Sequence, residues 1–209
     1  MTARRRGAKR EPDQGRASVT PTISMLWRRL DVPGHDACRL SRDGDRWTLR
    51  GVAAFVHDGA PARLDYGVRC DDAWRTLDGH VEGWLGATEI ALRVARAPDG
   101  AWRLNDRVVA ELDDCVDVDF GFTPATNVLQ LRRIALAVGG TADVPVAWLD
   151  AAGGALRRLE QHYEHVSGEG VGGWYGYSAP AFDYQARLDV GASGFVRDYP
   201  RLWVAEATA

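Results

Sequence analysis

Thr88-Glu89-Ile90-Ala91-Leu92-Arg93-Val94-Ala95-Arg96 alternates its side chains with a period of two. Ile90, Leu92 and Val94 fall on one face, while Glu89, Arg93 and the small Ala91 and Ala95 fall on the other. This is the pattern of a strand with one face on a core and one toward water. Around it, turn signals recur about every ten residues, a spacing that belongs to hairpins and meanders. They are Asp43-Gly44, Asp58-Gly59, Asp78-Gly79, Pro98-Asp99-Gly100, Asn105-Asp106, Gly139-Gly140, Gly153-Gly154 and Gly191-Ala192-Ser193-Gly194. The chain therefore reads as all-β and mostly antiparallel. Many curved strands with few helices must close or coil to manage their edges. The expected architecture is a single rolled or spiral sheet, a β-roll or half-barrel, around an apolar cavity.

Tryptophans at 27, 47, 74, 84, 102, 148, 174 and 203 are spread along the whole domain. Each can bury a large area on a pleated surface; most read as core and some as the lining of an apolar pocket. Leu156 to Tyr163 fits either a helix, with apolar positions at i, i+3 and i+7, or a strand with Leu159 and Tyr163 inward.

A chain of 209 residues with 45% hydrophobic content can bury its core as one domain, expected over residues 25–205. Residues 1–24 hold Arg, Lys, Gly, Pro, Ser and Thr, with almost no large apolar side chain beyond Val19 and Ile23, and read as a disordered basic tail. A net charge of -3 argues against a nucleic-acid partner, which needs concentrated Lys and Arg. Cys38, Cys70 and Cys115 are odd in number, widely spaced and without a CxxC pair, so neither disulfides nor zinc are signalled, and a cytoplasmic setting is expected. The basic start lacks the apolar run of a signal peptide, and no span of about 18 apolar residues offers a membrane helix.

Chemical motifs are sparse. Gly168-Glu169-Gly170-Val171-Gly172-Gly173 matches GxGxxG, but strand-like Trp174-Tyr175-Gly176-Tyr177 follows where a dinucleotide fold needs a helix, so it reads as a glycine loop. His162 and His165 would share a helical face for a metal, yet on a strand they point apart and read as surface residues. There is no GxSxG elbow and no HExxH. No catalytic residue, metal or cofactor is expected.

Leu112 to Ile134 is the most informative stretch. Val116, Val118, Phe120 and Phe122 alternate with Asp113, Cys115, Asp117 and Asp119. If Thr123 to Asn127 is a hairpin turn symmetric about Ala125, Asp117 faces Arg133 and Val118 faces Arg132 on a returning strand. Carboxylates at 117 and 119 then belong to a structural ion network with these arginines, in preference to a metal shell or an acid/base pair.

Trp27-Arg28-Arg29-Leu30, Tyr66-Gly67-Val68, Asp71 through Thr76, Leu112 through Arg133, Val146-Ala147-Trp148, Gln161-His162-Tyr163 and Val196 through Pro200 resemble a bacterial family of putative glycolipid-binding proteins. Asp117-Val118-Asp119 with Thr123-Pro124-Ala125-Thr126-Asn127 and Arg132-Arg133 is the most specific piece. Leu129-Gln130 stands where that family usually has Leu-Pro, which restores a backbone donor. The resemblance implies a rolled antiparallel sheet similar to periplasmic lipoprotein and lipid carriers. Its implied function is non-catalytic binding of an amphipathic, lipid-like or glycolipid-like ligand. The residues expected to meet that ligand are Trp74, Arg75, Asp119, Asn127, Arg132, Tyr163 and Tyr184. A cofactor-free hydrolase, marked by a convergent His, carboxylate and hydroxyl, and an interaction module with a filled core are the rival expectations.

Overall fold

The computed structural model describes residues 22–209. Its elements are β1 (Thr22–Arg29), β2 (Gly34–Asp43), β3 (Arg46–His57), β4 (Ala60–Cys70), β5 (Thr76–Leu85), β6 (Thr88–Arg96), β7 (Trp102–Leu104), β8 (Arg107–Val109) and β9 (Asp117–Phe120). They continue with α1 (Asn127–Ile134), β10 (Thr141–Asp143), β11 (Val146–Asp150), β12 (Ala155–Leu159), β13 (His162–Glu169) and β14 (Gly172–Ala179). A 3₁₀ turn (Pro180–Phe182) leads into β15 (Tyr184–Val190), β16 (Val196–Tyr199) and β17 (Trp203–Thr208).

One antiparallel sheet of fourteen strands runs β10-β13-β14-β15-β16-β17-β1-β2-β3-β4-β5-β6-β7-β8 and does not close into a barrel. Two meanders, β1 to β8 and β13 to β17, meet where β17 pairs with β1. The segment between them forms a second sheet, β12-β11-β9, in which β9 runs parallel to β11. Helix α1 shows how far the large sheet curls. The Arg132 guanidinium lies over Trp74, in the β4–β5 loop, 5.6 Å from the ring centre. From the same helix, Asn127 Nδ2 donates to Tyr163 on β13 at 2.9 Å. One short helix thus touches distant parts of the sheet order, so the sheet wraps around it. Trp27, Leu40, Leu49, Leu64, Tyr66, Phe120 and Leu129 are fully buried in the core between them.

Strand β6 has the expected boundaries and faces: Ile90, Leu92 and Val94 are buried, and Glu89, Ala91, Arg93 and Ala95 are exposed. Four sequence expectations are corrected. Thr22, Ile23 and Ser24, expected in the tail, belong to β1, which pairs Thr22 with Ser41 and Ser24 with Arg39, and backbone pairing needs no apolar side chain. The rest of the expected tail lies outside the described residues. Asp78-Gly79 is not a turn but the interior of β5. A β-carbon on Gly79 would stand 2.9 Å from the Gly67 carbonyl and 3.2 Å from the Phe120 ring, so glycine serves close approach there.

The third correction concerns the expected hairpin, since Asn127–Ile134 is a helix and Val118 pairs with Ala147 rather than Arg132. Leu, Gln and Arg are good helix formers, and Val128, Leu131 and Ile134 recur at helical spacing. Arg132 and Arg133 in the last turn complement the helix dipole. The missing proline at Gln130 therefore permits a helix rather than a more regular strand. The fourth is the two-faced reading of Asp117–Phe120, whose residues are all buried; a parallel strand covered on both sides leaves no solvent face. The open stretch Leu156 to Tyr163 resolves as parts of β12 and β13, and the GxGxxG match spans the β13–β14 hairpin.

Candidate binding site

Where the β9–α1 segment and β11 face β14 to β17, a cavity of about 350 Å³ remains. Asp119, Thr123, Asn127, Trp148, Tyr177, Phe182, Tyr184, Tyr199 and Trp203 are prominent in its lining. Tyr177, Tyr184 and Tyr199 form a mutually packed wall, with ring centres 5.4 to 6.1 Å apart. Such tilted and edge-on arrangements suit aromatic quadrupoles. At the rim, Trp148 meets Phe182 edge-on at 5.2 Å, and Phe182 is 52% exposed. Tyr184 is anchored by a hydrogen bond from its hydroxyl to the Pro200 carbonyl at 2.6 Å. Burial pushes that phenol up to about 12, so it is neutral at physiological pH.

The floor is polar and closely bonded. Asp119 Oδ1 accepts from the Thr126 hydroxyl at 2.7 Å, and its Oδ2 accepts from Gln161 Nε2 at 2.6 Å. The Tyr163 hydroxyl donates to Gln161 Oε1 at 3.2 Å and accepts from Asn127 Nδ2. These side chains are buried, so each bond satisfies a group that is costly to leave unpaired. Burial raises the Asp119 carboxyl above its ordinary range, against the hydrogen bonds from Thr126 and Gln161.

The structure brings together Asp119, Asn127 and Tyr184 from the sequence-predicted set as cavity-lining residues. Tyr163 stands one layer behind, bonded to Asn127. Trp74 and Arg132 lie elsewhere. Trp74 stacks on Trp47 at 4.2 Å, while Arg132 covers Trp74 and donates through Nε to the Ser193 carbonyl at 2.9 Å. Arg75 is exposed and bound to Asp71 at 2.7 Å. Trp148, Tyr177, Phe182, Tyr199 and Gln161 were not singled out as site residues from sequence. Two of them carry a legible signal: Trp148 is among the tryptophans whose reading includes a pocket lining, and Tyr177 shares one strand face with Tyr175.

The two histidines go to separate partners, and the surface reading fails for His165. His162 Nδ1 pairs with Asp143 at 2.7 Å; His165 is buried, stacked on Tyr175, with Nδ1 on the Leu136 carbonyl. Among the described residues no cluster of His, Cys, Asp and Glu is arranged to hold a metal. None of their helices is long and apolar enough to cross a membrane.

The family described as "Putative glycolipid-binding" matches residues 24–205. Among solved structures, a DUF1089 family protein from Pseudomonas aeruginosa is similar over 98% of each chain, with 25% identity and a TM-score of 0.66. No curated protein matches the chain.

Proposed function

From the premise that the chain belongs to the putative glycolipid-binding family, we propose that the aromatic cavity above Asp119 holds the polar head of a neutral, sugar-bearing amphiphile and carries out no chemistry on it. The observation that carries this reading is the combination of a tyrosine and tryptophan wall with one buried polar floor. Sugar rings present apolar C–H faces that pack on aromatic rings, and hydroxyls that bond to carboxylate and amide groups. A volume of about 350 Å³ is at the small end of ligand sites, which suits a headgroup, with the apolar part leaving past Trp148 and Phe182. Both Asp119 oxygens already accept hydrogen bonds, which supports a role in recognition over one in proton abstraction.

The test is titration of the purified protein with a short-chain alkyl glucoside and with an alkyl phosphocholine of equal chain length, followed by tryptophan fluorescence. Saturable binding of the glucoside, weakened at least tenfold by Trp148→Ala, is the expected result. No saturable glucoside binding, or equal affinity for both amphiphiles, overturns the reading.

A further inference from the structure

On the opposite, outer face of the sheet, the registers of β2 through β6 align residues into one transverse row. Arg39 pairs with Arg50, Arg50 with Gly67, Gly67 with His80, and His80 with Arg93. Arg39, Arg50, His80 and Arg93 are all exposed, because their strand neighbours Leu40, Leu49, Val81 and Leu92 take the inward positions. The His80 ring leans over Gly67, with Cε1 2.5 Å from where a β-carbon on that glycine would stand. The imidazole thereby occupies the gap next to Arg50.

Directly opposed like charges destabilise a sheet, and four other arginines of this face are neutralised by carboxylates. Arg28 pairs with Glu206 at 2.9 Å, Arg63 with Asp65 at 2.6 Å and Arg69 with Asp78 at 2.5 Å, while Arg93 reaches Glu82 at 3.7 Å. Arg39 and Arg50 have no carboxylate partner among the described residues. Both border an open trough of about 1300 Å³, together with His80 and the hydroxyl-bearing Ser24, Ser41 and Thr48. Asp43 and Asp65 also border it, the latter already held by Arg63.

We infer that Arg39 and Arg50 are a binding site for a phosphate-type oxyanion, with His80 and the hydroxyls completing its shell. Two guanidinium groups on adjacent strands can each present paired N–H donors, the geometry that tetrahedral oxyanions accept in bidentate fashion. A bound dianion also removes the repulsion that the bare pair carries. The site is separate from the aromatic cavity and does not depend on what that cavity holds.

Two binding assays at low ionic strength test it and separate the sources of the anion. One is calorimetric titration with inorganic phosphate and pyrophosphate. The other is sedimentation with phosphatidylcholine vesicles, with and without phosphatidylglycerol. Binding in the first assay identifies a soluble phosphate ligand; binding only to the anionic vesicles identifies a lipid headgroup. In either case the Arg39→Gln/Arg50→Gln protein should bind at least tenfold more weakly, with an unchanged or higher melting temperature, and substitution of the exposed Arg157 on β12, outside the trough, by Arg157→Gln should leave binding as in the parent. Failure of both anion sources to bind, or undiminished binding by the double variant, overturns the inference.

Discussion

Arg133 grips Asp117 from the last turn of α1, with Nη2 2.7 Å and Nε 2.9 Å from Oδ2, and Nε 3.1 Å from Oδ1. The Asp117 side chain is fully buried and that of Arg133 is 24% exposed. The pair expected from a hairpin is present, but a helix supplies the arginine. Burial pushes the Asp117 carboxyl above its ordinary range, and Arg133 pulls it back. Removing the carboxylate leaves a part-buried guanidinium without its partner. Asp117→Ala should therefore cost about 3 kcal/mol, the low end for a broken buried pair because Arg133 still reaches water. Urea unfolding measures the loss; glucoside affinity should change far less than stability.

Asp36 should make stability depend on pH. Its Oδ1 accepts from the Tyr66 hydroxyl at 2.8 Å, while Oδ2 is buried without a partner among the described residues. Burial raises its pKa to about 7, against hydrogen bonds from Thr123 and Tyr66 that lower it. A folded-state value above the unfolded one favours the neutral acid. Its contribution is complete below about pH 4 and is lost as pH rises through about 7. Asp36→Asn cannot ionise, so relative to the parent it should gain stability between pH 4 and pH 8, on the order of a few kcal/mol. Melting curves at both pH values decide this; a constant difference between the two proteins would exclude Asp36 as the source.

Gly121 should control the position of Trp148. A β-carbon at residue 121 would stand 2.5 Å from the Trp148 indole nitrogen. Because Trp148 is only partly buried at the cavity rim, it can swing away at modest cost. Gly121→Ala should lose about 1–3 kcal/mol, as overpacking does, and bind the glucoside at least several-fold more weakly. Wild-type affinity in this variant would show that the rim does not touch the ligand.

Trp74 should matter for folding rather than binding. It is 9% exposed, sandwiched between Trp47 and the Arg132 guanidinium, and is absent from the cavity lining. Trp74→Ala is expected to cost about 3–5 kcal/mol, typical of a large aromatic deletion, with amphiphile affinity retained in the protein that remains folded. A Trp74→Ala protein of normal melting temperature and weakened affinity would return this residue to the binding site.

What the sequence determined by itself is everything that rests on local periodicity. Alternation in Thr88–Arg96 marked a strand with its correct inward face, and glycine-containing pairs marked most of the turns, because a two-residue period and a positive φ are properties of a few adjacent residues. The link between Asp117 and Arg133 was legible too, although on a wrong element. Val128–Ile134 fits both periods, and only burial against β9 and the curled sheet selects the helix. The candidate site was decided by tertiary structure. Asp119, Trp148, Phe182 and Tyr199 are far apart in the chain, and no local pattern encodes their meeting; it follows from the curl that carries β14 to β17 over the β9–α1 segment. The row of Arg39, Arg50 and His80 depends likewise on strand register, because shifting one pairing by a single residue would turn its members to the opposite face.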